Sequence, residues 1–373
     1  MQHSNKIFLV AMGTGEVGQG VAFAKYAISQ GFFVTFAIFD SKYLQFLNLD
    51  TINARSIVID ASVQSLNQAV TQDNPDILVL CNSKILEHDG YCNNPPIPKP
   101  ITISIDSNWL FSKDSPCKFM PWADAYCINI PKDVFKLGLI ENGGNYDIPI
   151  DVMDKIKIVG LVPSYLKISD AAKEDTRKKY GILPEEKLIF MYASSTSISI
   201  AQQIGIYMKA IESVEALISR GNKIKIINIG NIPQSIVDIN EKWLINVKSS
   251  DASEFYKILS SSDLVFQHQG LSTLEQSIAA NVPIIANVKD LKDEEYEHHA
   301  HEWEISPFVR YGACDMMHFS DNMSESVDKI ERLLYDTSAI SKMKNCQSQL
   351  YEPGEANVMK EVVRLLKQSK ING

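Results

Sequence analysis

The sequence predicts two doubly wound α/β domains in tandem, each a parallel sheet covered by helices. Three observations point there. Short β-branched runs alternate with helical patterns up to about residue 163, the alternation begins afresh beyond it, and 373 residues are enough for about two domains that each bury a core.

In the first domain, residues 1–163, the strand candidates are "KIFLVA", "FFVTFAIFD", "SIVID", "DILVLC", "PITISID" and "AYCINI", with helical patterns between them. Gly13, Gly15 and Gly18 complete a G-x-G-x-x-G between the first strand and a helix reaching about Gln30. The segment from Asn82 to Lys99 carries too many prolines and asparagines for a central strand. In the second domain, residues 164–352, Ser169 caps a helix that Gly181 stops. The strands "KLIFMYAS", "KIKIINIG", "DLVFQH" and "PIIANV" follow. An amphipathic helix, 353–373, opens after Pro353 and Gly354. Two such domains are expected to face a cleft lined by the carboxyl ends of their sheets, where ligands of these folds bind.

Composition narrows the function. A hydrophobic content of 45% with 22% charged residues is that of a globular protein, and the polar start "MQHSNK" is no signal peptide, so a cytoplasmic location is expected. No apolar run approaches the roughly 20 residues that span a bilayer, which leaves peripheral contact with a membrane-bound substrate open. A net charge of −9 argues against nucleic acid as a partner. The six cysteines, Cys81, Cys92, Cys117, Cys127, Cys314 and Cys346, include no C-x-x-C pair and read as packed thiols.

Chemistry concentrates in "SSDLVFQHQGLSTLEQSIAANVPIIA", residues 261–286. A buried strand ends in His268, Gly270 makes a turn, and Ser272 and Thr273 stand at the start of the next helix. Free amides at a helix N-terminus, a glycine that permits close approach and two hydroxyls suit a diphosphate; the same hydroxyls also suit helix capping. This stretch resembles the donor-binding segment of GT-B glycosyltransferases, in which a strand leads to a H-x-G turn, a Ser/Thr-bearing helix, an acidic residue and "GVP" or "GLP". It is similar to UDP-sugar transferases of natural-product glycosylation and to the lipid II GlcNAc transferase.

The resemblance implies a GT-B architecture in which the second domain binds a nucleotide-sugar donor, UDP-linked, and the first binds a hydroxyl or amine acceptor, small or lipid-linked. The final helix is expected to pack back on the first domain. Register places Gln276 where the family has its ribose-binding glutamate, with Glu275 one residue earlier. Ser194 and Ser195, in the run "SSTS", fall at the family's loop beside the diphosphate, and Glu294 and Glu295 fall near its pair that holds the sugar hydroxyls. "MGTGEVGQG" resembles the family's glycine-rich acceptor loop through Gly13, Thr14 and Gly15. The histidine that serves there as base is absent, which leaves Glu16, with Asp106 at the end of "PITISID", as the candidate bases. No cofactor and no metal are expected: the cluster His298, His299 and His301, with Glu294 on the face of His298, lacks the usual zinc spacing.

Other readings stay open. Asp40 lies about 20 residues past the glycines, where a carboxylate would hold an NAD ribose, so an NAD-dependent oxidoreductase is one alternative. A UDP-sugar hydrolase, a 2-epimerase or a catalytically silent nucleotide-sugar binder would share the fold.

Overall fold

The computed structural model describes the chain apart from residues 1–4, 48–53, 83–97, 112–118, 120–122, 142–147, 194–198, 231, 240, 248–251, 269, 289–299 and 373. The chain divides into two compact units, Met1–Ser164 with Glu352–Gly373, and Tyr165–Tyr351. In unit 1 the order is β1 (Lys6–Ala11), α1 (Thr14–Ser29), β2 (Phe33–Ile38), α2 (Leu44–Leu47), β3 (Arg55–Val58), α3 (Val63–Asp73), β4 (Ile77–Cys81), β5 (Ile101–Asp106), β6 (Ala125–Ile128), α4 (Lys132–Glu141) and β7 (Ile156–Ile158). Unit 2 holds α5 (Asp170–Lys179), β8 (Lys187–Tyr192), α6 (Ile200–Ser219), β9 (Ile224–Ile229), α7 (Gln234–Val237), β10 (Leu244–Val247), α8 (Ala252–Ser261), β11 (Leu264–His268), α9 (Leu271–Ala280), β12 (Ile284–Val288), α10 (Ala300–Tyr311), β13 (Asp315–His318), α11 (Met323–Tyr335) and α12 (Thr337–Leu350). The last helix, α13 (Gly354–Asn372), returns to unit 1.

The first sheet is parallel with order β3-β2-β1-β4-β5-β6-β7. Its middle strand β4 is apolar on both faces, as a sheet covered twice requires: it reads "ILVLC" and is buried throughout. One face packs Ile7, Leu9, Ile77, Val79, Ile103 and Ile105 against α1 and against Val358, Met359, Val362 and Leu366 of α13. Close packing depends on Gly20, where an added Cβ would lie 2.6 Å from Phe36 Cζ and 2.8 Å from Leu9 Cδ2. A Cβ added at Gly18 would likewise lie 3.0 Å from Ser164 Cβ. Two of the glycines after β1 are thus packing devices. Gly354 opens α13 against the carbonyls of Leu161 and Gly160, at 2.6 and 2.7 Å from where its Cβ would be, and its N–H donates to Leu161 O at 2.7 Å.

The second sheet is also parallel, with order β10-β9-β8-β11-β12-β13. Ile206, Tyr207, Ala210 and Val214 of α6, with Val327, Ile330 and Leu334 of α11, fill one face. Local signals act as the sequence suggests: Ser169 Oγ accepts from Ala172 N at 3.3 Å, and capping boxes open α6 at Ser199 and α11 at Asn322. Lys209 Nζ donates to the carbonyls of His318, Phe319 and Asp321 at 2.5, 3.0 and 2.8 Å, which fixes the turn after β13. The sequence reading names four strands here and the structure has six. The two extra ones, β10 and β13, are the sheet's edges, four residues each and only partly buried, so they need no long apolar run. Among the described residues no helix is long and apolar enough to cross a membrane.

Candidate functional site

Ligands of open α/β sheets bind beyond the carboxyl ends of the strands, where the strand order reverses. In unit 2 that reversal lies between β8 and β11. His268 ends β11 there, 8% exposed, with Nδ1 3.4 Å from the carbonyl oxygen of Tyr192 at the end of β8. Gly270 follows as the N-cap of α9, its backbone extended and no side chain capping the helix. A methyl group at Gly270 would meet His268 Nε2 at 3.2 Å, so the missing side chain keeps this corner open. Gln267 Nε2 donates to Gly270 O at 3.0 Å and holds the turn from beneath.

Ser272 and Thr273 therefore do not cap α9. They occupy its first turn, where backbone N–H groups lack intrahelical acceptors and the helix dipole favours negative charge. Thr273 is buried and Ser272 half-buried; Gln276 is half-buried, while Glu275 is 1% exposed. Ser194, Ser195, Glu294, Glu295, His298 and His299 lie outside the described residues, and His301 falls on α10.

In unit 1 the order reverses between β1 and β4. Gly13 is the N-cap of α1, Thr14 and Gly15 begin the helix, and Glu16 lies in its first turn. The Glu16 carboxylate folds back toward Gly13, whose Cβ, if present, would be 2.5 Å from Oε2. Asn82, just past β4, donates from Nδ2 to Glu16 Oε1 at 3.2 Å and adopts a left-handed φ of 87°. That backbone conformation is uncommon outside glycine, and the side chain it aims is one the sequence does not single out. Asp106 is 4% exposed at the end of β5, where Ser104 Oγ donates to its Oδ2. Through Asn82 the Glu16 carboxylate reaches the end of β4, and the register that sets Cys81 opposite Ile105 puts Asp106 at the same end. Burial pushes the Cys81 thiol well above its usual range, and the charges of Glu16 and Asp106 add to that push. Asp40 is engaged elsewhere: it accepts from Lys42 N at 2.9 Å and pairs with Lys42 Nζ at 2.8 Å.

No protein-family model and no curated protein sequence matches the chain. Solved structures do. The S. aureus MnaA–UDP co-structure aligns with a TM-score of 0.69 at 13% identity, covering 97% of each chain. The UDP-GlcNAc 2-epimerase from Neisseria meningitidis bound to UDP-GlcNAc aligns at 0.67 and 13%, covering 97% of this chain and 100% of that one. The glycosyltransferase SnogD from Streptomyces nogalater aligns at 0.60 and 12%, covering 97% and 99%. These likenesses run the length of the chain, and with the two parallel sheets they show that it has the GT-B fold.

Proposed function

We propose that the chain is a glycosyltransferase that takes a sugar from a nucleotide diphosphate, UDP, and passes it to a hydroxyl or amine acceptor with inversion. The observation that carries this is the uncapped N-terminus of α9 beside His268, at the strand-order reversal of the second sheet. In this reading the amides of Leu271, Ser272 and Thr273 and the imidazole of His268 hold the diphosphate, with Gln276 and Glu275 at the ribose. Ser194, Ser195, Glu294 and Glu295 complete the donor site, and unit 1 serves the acceptor with Gly13, Thr14 and Gly15.

The chemistry follows from charge. The acceptor oxygen or nitrogen attacks the anomeric carbon as the bond from that carbon to the diphosphate oxygen breaks. The bonding electron pair leaves with UDP, and the acceptor's proton passes to a base. Glu16 is that base, with Asp106 as its alternative: Asn82 orients one Glu16 oxygen, whereas Asp106 is buried against Ser104. Donors aimed at the leaving diphosphate stabilise the charge that develops there, without a metal ion.

A second reading is favoured by a specific observation, since two of the aligned structures, at 0.67 and 0.69, are the 2-epimerase and the MnaA–UDP complex. Incubation with UDP-GlcNAc and no acceptor separates the two. A transferase leaves the nucleotide sugar intact, an epimerase converts it to the 2-epimer, and a hydrolase releases the sugar. Conversion or release without acceptor overturns the transferase reading.

A further inference from the structure

We propose that Asn287 is a specificity-determining residue of the donor site and hydrogen-bonds a hydroxyl of the donor's sugar. The inference rests on the donor-site reading of unit 2. Asn287 lies near the carboxyl end of β12, whose other residues are apolar, and it is 0% exposed. Its Nδ2 and its Oδ1 are both buried without a hydrogen-bond partner among the described residues. Folded proteins seldom leave a buried amide wholly unpaired, because both groups lose their water and gain nothing in return. An apolar side chain of the same shape would serve β12 better. The amide is explained by a group that arrives with a ligand.

Position says where that group comes from. Parallel pairing sets Asn287 opposite His268, so the two side chains leave the sheet on the same face from adjacent strands. Adjacent strands are about 4.8 Å apart, so one oxygen lying between the two side chains is within hydrogen-bond reach of both, at about 2.8 Å. The amide thus lies one strand beyond the residue assigned to the diphosphate.

Chemistry says what the group is. Nδ2 needs an acceptor and Oδ1 needs a donor. A phosphate oxygen only accepts and would face Oδ1 with like charge, whereas a hydroxyl both donates and accepts. The ribose hydroxyls are assigned to Gln276 and Glu275 on α9, which leaves the hydroxyls of the transferred sugar.

Calorimetric titration of the wild type and of Asn287→Leu with UDP and with UDP-GlcNAc tests this. The expected result is that the variant melts at or above the wild-type temperature, binds UDP within about twofold of the wild type, and binds UDP-GlcNAc about tenfold more weakly. An unchanged ratio of the two affinities overturns the inference while leaving the donor-site reading in place. Failure of the wild type to bind UDP overturns both. Asn287→Ala replaces Asn287→Leu if leucine does not pack.

Discussion

The same substitution, glycine to alanine in a helix interior, is predicted to act with opposite sign in the two units. Alanine is favoured over glycine within a helix by about 1 kcal/mol. At Gly205 in α6 an added Cβ meets nothing within 4 Å, so Gly205→Ala keeps that gain. At Gly20 in α1 the same Cβ comes 2.6 Å from Phe36 Cζ and 2.8 Å from Leu9 Cδ2, and both neighbours are 0% exposed in the core with nowhere to swing. Overpacking of this kind costs up to about 3 kcal/mol, which leaves a net loss of about 2 kcal/mol after the helix gain. In domains of this size each kcal/mol moves the melting temperature by about 2–4 °C. Scanning calorimetry therefore resolves a rise of about 2–4 °C for Gly205→Ala and a fall of about 4–8 °C for Gly20→Ala. If Gly20→Ala melts at or above the wild type, the close helix-to-sheet contact assigned to the glycine-rich stretch is wrong.

Further predictions concern the two sites and one buried acid. Gly270→Ala puts a methyl group against His268 at the mouth of α9 and is expected to weaken UDP binding about tenfold by titration, with little change in melting temperature; undiminished binding would place the diphosphate elsewhere. Glu16→Gln is expected to slow sugar transfer about 100-fold or more while UDP affinity stays the same, and an unchanged rate removes Glu16 from the mechanism. Burial raises the Glu355 carboxyl above its ordinary value of 4.5, outweighing the opposing backbone hydrogen bond, and its Oε2 is buried without a hydrogen-bond partner among the described residues. Ionisation of Glu355 is thus penalised by folding, a cost absent below pH 4.5 and complete once pH exceeds the raised folded value. Glu355→Gln is expected to match the wild type in thermal melts at pH 4 and to exceed it at pH 7 and above, and equal stability at both would refute the assignment.

Much of this fold is legible in the sequence because the inner strands β1, β4 and β8 are largely apolar runs bounded by turn residues, and a strand buried on both faces needs little else. The edges β10 and β13 escape notice for the converse reason. Residues whose role depends on partners distant in sequence are also hidden. Gly20 falls outside the G-x-G-x-x-G pattern, yet a Cβ there would lie within 2.8 Å of both Phe36 and Leu9, two buried core side chains. Asn82 is one polar residue at the head of a loop-rich segment, and only the pairing of β1 with β4 brings it to Glu16. Glu275 has the charge of a surface helix residue and is 1% exposed. Asn287 sits inside "PIIANV", where a strand pattern gives no hint that its amide finds no partner among the described residues. The segment around His268 stands out because turn, glycine and helix start are contiguous in the chain.

The central claim is that unit 2 binds a nucleoside diphosphate at the N-terminus of α9. It is tested most directly by the melting temperature of the purified protein with UDP and, separately, with NAD, each well above a micromolar dissociation constant. A ligand that binds the native state raises that temperature by mass action. Binding at α9 predicts a rise with UDP, absent with NAD. A rise with NAD alone would contradict it and assign the glycines after β1, with Asp40, to a dinucleotide.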